Sequence, residues 1–96
     1  MLGHRRVAHP GRAVSAPFAS LAQSLPTYLP MMRAERAFNV ASAEYGRAVF
    51  ADMRYANPQT FWRVSRAMRH LRTADARVRA TQAAQLAAVI AARAAQ

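Results

Sequence analysis

Arg63, Arg66, Arg69 and Arg72 recur at every third position, and Arg77 follows them. A guanidinium stays charged at any physiological pH and presents a planar fork of N–H donors that matches phosphate oxygens. On a helix each three-residue step turns by about −60°, so the four arginines wrap half the circumference, and Arg77 returns to the side of Arg63 and Arg66. Trp62 points between Arg66 and Arg69, away from the apolar positions. There an indole can stack on a base or seat in a partner protein. These six residues are the candidate nucleic-acid-binding set. The competing explanation is compositional: there are 14 basic residues, all arginine, beside 24 alanines, a pairing that GC-rich codons also produce.

The placement of charge speaks against composition alone. The formal net charge is +10. Residues 1–34 carry arginines and no acid, residues 35–56 balance three arginines with Glu35, Glu44 and Asp52, and residues 57–96 set seven arginines against Asp75. A basic end beside a neutral segment gives a directional field and implies an anionic partner.

Other chemistries lack their parts. General acid–base catalysis needs titratable groups convergent in a dry pocket. Here there are four acids and three histidines in all. His4 and His9 lie near the N-terminus, and His70 lies among the arginines. Ser65 and His70 do not share a helix face. No enzyme activity is expected, and no cofactor. A structural zinc site wants four ligands, and His4 and His9 have neither cysteine nor carboxylate nearby, so no metal is expected either. The absence of cysteine rules out a disulfide framework. The longest apolar run, residues 83–92, is half of what a bilayer requires.

The elements that must hold the basic set read as helices, giving an all-α class. Residues 1–30 contain four of the five prolines and are read as a flexible basic tail on a cytoplasmic protein, or alternatively as the transit segment of an organellar, mitochondrial protein. Residues 31–96 are read as one unit. Met31, Ala34, Phe38, Ala41, Tyr45, Ala48, Val49 and Met53 form an apolar stripe, which predicts a helix over about 31–56. Asn57 is a favoured N-cap and Pro58 a favoured first helical residue, so a second helix is predicted over about 58–94. Its stripe runs Phe61, Val64, Met68, Leu71, Val78, Leu86, Val89, with polar gaps at Asp75, Gln82 and Gln85. Asp75 is read as a salt bridge to Arg72 or Arg79, or as a pairing group for another helix.

The short hinge predicts a two-helix antiparallel hairpin in which the first helix covers the second only to about residue 82. So small a core calls for self-association or a partner. The functional expectation is a non-enzymatic protein gripping nucleic acid through phosphates, without sequence readout. The alternative is a structural subunit docking on a larger protein or ribonucleoprotein assembly. Binding to an anionic membrane surface ranks last, because the apolar stripe is broken by alanines and polar residues.

Overall fold

A computed structural model describes residues 20–96, and the expectations for residues 1–19 lie outside the described residues. Two long helices dominate, α1 (Tyr28–Arg54) and α2 (Pro58–Ala94), and a short helical turn through residues 20–24 precedes them. The all-α class agrees with the sequence reading.

α1 begins three residues earlier than the stripe predicts. Pro30 is not a boundary; it occupies the first turn of the helix. In the first turn the N–H groups have no intrahelical acceptor, so a proline there sacrifices no hydrogen bond. The N-cap Thr27 makes no side-chain cap bond. Its hydroxyl donates instead to Gln85 Oε1 on α2.

α2 has the bounds the sequence predicts, and the reason is local. Asn57 is extended (φ −159°, ψ 170°), and its Oδ1 accepts from the Thr60 N–H at 2.9 Å. The Asn57 N–H donates to Thr60 Oγ1 at 3.0 Å, closing a capping box. Asn57 Nδ2 also donates to the Tyr55 carbonyl at 2.8 Å, tying the cap to the end of α1. Asn57→Ala removes both side-chain bonds. Its expected cost is about 0.5–2 kcal/mol, read as a lowered midpoint in urea with an unchanged m-value.

The helices run antiparallel, as the cross-helix hydrogen bonds show: Thr27 with Gln85, Glu35 with Gln82, Glu44 with His70, and Asp52 with Thr60. The residues that turn inward follow alternating steps of four and three. On α1 they are Thr27, Met31, Ala34, Phe38, Ala41, Tyr45, Ala48 and Asp52; on α2 they are Thr60, Val64, Ala67, Leu71, Ala74, Val78, Thr81 and Gln85. That is the 3.5-residue repeat of a coiled-coil seam.

Within this seam the buried apolar residues are all alanines. Ala34, Ala41 and Ala48 recur every seventh position, and Ala67 is 0% exposed. Ala67 lies between the levels of the Glu44–His70 and Asp52–Thr60 bonds, so it meets α1 near Ala48. A methyl side chain lets two backbones approach closely, and the bulky residues of the stripe are displaced to the edges. Phe38, Tyr45, Val64 and Leu71 are therefore only half-buried. Met53 and Phe61, core positions by the sequence pattern, are exposed.

The seam ends in polar groups. At one end Gln85, 7% exposed, accepts from Thr27 and donates from Nε2 to the Ala22 carbonyl at 2.9 Å. At the other, Thr60 Oγ1 donates to Asp52 Oδ1 at 2.7 Å. By sequence Gln85 is a gap in the stripe, and α2 lies uncovered beyond residue 82. In the structure Gln85 is the point where α1, α2 and the 20–24 turn meet, and Val89, one turn on, is buried as well.

Candidate nucleic-acid interface

Two helices side by side leave two broad flanks, one on each side of the plane through their axes. Helical phase assigns the charged residues to them.

The first flank is basic. Arg33 and Arg36 of α1 and Arg77 of α2 line a groove of about 590 Å³ with Ala37, Val40 and Ala74 on its floor. Arg47 follows Arg36 by eleven residues, and Arg77 follows Arg66 by eleven. Eleven residues are three turns and about 20°, or roughly 16 Å along the axis. Because the helices are antiparallel, Arg36 lies level with Arg77, and Arg47 level with Arg66. Two cross-helix arginine pairs are thus set about 16 Å apart on one surface. Arg63 extends the flank toward the hinge and Arg33 toward the far end.

Only one carboxylate enters this flank. Glu44 lies between the two arginine pairs, 3.5 Å from His70 Nδ1, and both side chains are about half-exposed. The contact carries a favourable charge interaction only when the imidazole is protonated. The flank keeps a surplus of positive charge in either state.

The six residues singled out by sequence do not form one surface. Arg63, Arg66 and Arg77 share the basic flank. Arg69 sits on the outer back of α2. Arg72 turns to the opposite flank, where it lines a cavity of about 390 Å³ with Phe38, Tyr45, Met68, Leu71 and Asp75. Trp62 is 62% exposed at the hinge end, its ring edge-on to Phe61 with centroids 6.3 Å apart. Arg33, Arg36 and Arg47 belong to the same basic surface and are missed by the sequence reading. The usable signal is the eleven-residue spacing shared by the two helices.

Asp75 pairs with Arg79 at 3.1 Å, four residues on, in agreement with its reading as an intrahelical salt bridge. The opposite flank carries both signs: Arg72 and Arg79 stand beside Asp75 and Glu35, and Glu35 accepts from Gln82 Nε2 at 3.1 Å. At the hinge, the Arg54 guanidinium lies over the rings of Phe50 and Tyr55 at 5.6 and 5.5 Å, beside the exposed Met53.

Among the described residues no group of three His, Cys, Asp or Glu side chains could hold a metal ion, and no helix is long and apolar enough to cross a membrane. No family model, curated protein or solved structure matches the chain.

Proposed function

We propose that the chain is a non-enzymatic, helical-hairpin binding protein for nucleic acid, and that the basic flank grips phosphates without reading sequence. The observation that carries this reading is the pair of cross-helix arginine couples, Arg36 with Arg77 and Arg47 with Arg66, flanked by Arg33 and Arg63 and opposed only by Glu44. Guanidinium groups held on a stiff two-helix platform neutralise phosphates at little cost in ordering the backbone. Each phosphate contact releases counterions, so affinity must fall as salt rises. The groove beside the Arg36–Arg77 couple is lined by Ala37, Val40, Ala41 and Ala74, with Glu44, His70 and Thr73. Contacts from the arginine couples to backbone phosphates carry no sequence information.

Trp62 separates two forms of the ligand. An exposed indole at the rim stacks on unpaired bases, whereas a duplex keeps its bases stacked internally. Trp62→Ala is expected to weaken single-strand binding by roughly 1–3 kcal/mol and to leave duplex binding nearly unchanged. Fluorescence anisotropy with a labelled single strand and its duplex, at several salt concentrations, measures both. Binding that does not weaken with salt would overturn the phosphate reading.

A second reading is favoured by a separate observation. Phe50, Met53, Tyr55, Phe61 and Trp62 are all exposed around the hinge. Apolar area of this kind marks a protein contact, and the chain as a subunit of a larger assembly accounts for it. In that case Trp62→Ala releases the protein from its complex with no change in nucleic-acid affinity. The thin alanine seam is consistent with either reading, since a pair of helices this small gains stability from self-association or from a partner.

A further inference from the structure

The basic flank has a middle rung between its two arginine couples. Glu44 of α1 and His70 of α2 face each other there, with Glu44 Oε1 3.5 Å from His70 Nδ1. Both line the groove that Arg36 and Arg77 enter. His70 follows Arg66 by about one helical turn and precedes Arg77 by about two. A phosphate backbone that spans the roughly 16 Å between the couples passes over this rung. There it meets the one carboxylate that enters the flank.

We infer that His70, in its protonated form, is a further phosphate-contacting residue, and that nucleic acid binding to this flank takes up a proton there. The inference rests on the nucleic-acid reading and adds the protonation state that the site requires. Two properties of the imidazole carry it. The first is direction. Nδ1 faces the Glu44 carboxylate, and an ionised carboxylate only accepts, so the neutral ring keeps its hydrogen on Nδ1 and leaves a lone pair on Nε2. Nε2 lies on the far edge of the ring from Glu44, and the side chain is 55% exposed. A lone pair there repels a phosphate oxygen. Only the imidazolium presents an N–H at both edges, one for Glu44 and one for phosphate. The second is charge. A neutral His70 leaves Glu44 and the phosphate as two anions on one rung. A proton on the ring puts a cation between them and replaces a repulsion with two attractions.

The other charged groups on this flank are Arg33, Arg36, Glu44 and Arg47 from α1 and Arg63, Arg66 and Arg77 from α2. Guanidinium and carboxylate charges are constant between about pH 6 and 8, the interval in which histidine changes its own. Binding that takes up a proton must therefore strengthen as pH falls through this interval.

Fluorescence anisotropy of the full chain with a labelled oligothymidylate strand, at fixed ionic strength from about pH 6 to pH 8, tests it. The strand itself does not titrate in this range. Binding is expected to be about three- to fivefold tighter at the acid end, and the log–log salt slope steeper there by about 0.7. His70→Gln is expected to bind at every pH as the native chain does at the alkaline end. His70→Arg, permanently charged, is expected to bind at the alkaline end at least as tightly as the native chain at the acid end. Circular dichroism of each variant shows whether the helices persist. Salt-dependent binding that ignores pH would overturn the inference and leave the phosphate reading standing. So would a pH response that survives in His70→Gln, since it would belong to His4 or His9. Binding indifferent to salt at every pH would overturn both.

Discussion

Replacing Arg36, Arg47, Arg66 and Arg77 together with glutamine is expected to remove most of the salt dependence of nucleic-acid binding. Each phosphate contact contributes about 0.9 to the log–log slope on duplex DNA and about 0.7 on a single strand. Removing four such arginines should lower the slope by about 3.6 on duplex. Between 50 and 200 mM salt, that change is worth about two orders of magnitude in affinity. The comparison that identifies the surface is Arg69→Gln with Arg72→Gln. These two arginines lie in the same sequence run but point to the back of α2 and to the opposite flank. Their replacement should barely alter the slope. If the four-arginine variant bound as well as the native chain, or if Arg69 and Arg72 proved as important as the four, the basic flank would not be the binding surface.

The second large effect is expected in the seam. Ala67 is fully buried where α2 meets α1 near Ala48. Ala67→Leu inserts three carbons where the backbones are held close by methyl groups alone. Overpacking of this kind costs about 1–3 kcal/mol and occasionally more. For a pair of helices whose total stability is small, that is a large fraction of the whole. The expected result is loss of cooperative melting or a large drop in its midpoint, seen by circular dichroism. Ala80→Leu, at an exposed position of the same helix, serves as the control. An Ala67→Leu protein that melts like the native chain would show that the helices are farther apart than the buried alanines imply.

Local signals are the legible ones. Asn57 and Pro58 announce the start of α2 because a cap and a fixed φ are properties of adjacent residues. The helical periodicity of the apolar stripe is also visible. Which members of the stripe become buried is not. In the linear pattern Phe61 and Met53 look more core-like than Ala48, and only the distance between two backbones reverses that order. Gln85 looks like a flaw for the same reason: its partners, Thr27 and the Ala22 carbonyl, lie about sixty residues away in the chain. The start of α1 is hidden because Pro30 weighs as a breaker in the sequence, although a proline in a first turn loses nothing.

The candidate site is half legible. The charge asymmetry is plain in the sequence, and Arg63, Arg66 and Arg77 stand out. The run of arginines in one segment draws attention to contiguous residues, whereas the surface is built across two helices. Arg36 and Arg47 join the proposed surface only when antiparallel pairing brings them level with Arg77 and Arg66.

The alanine seam carries almost no information about its own alignment. Slide α1 along α2 by seven residues and Ala34, Ala41 and Ala48 find equivalent places. The methyl contacts act like the evenly spaced teeth of a rack, which engage equally well at several settings. The two polar closures, Gln85 with Thr27 and Thr60 with Asp52, work as end stops: a slip by one tooth breaks both. Affinity between the helices and choice of setting are thus divided among different residues. The arginine couples depend on that choice, because a one-tooth slip would separate Arg36 from Arg77 and Arg47 from Arg66 by about 10 Å.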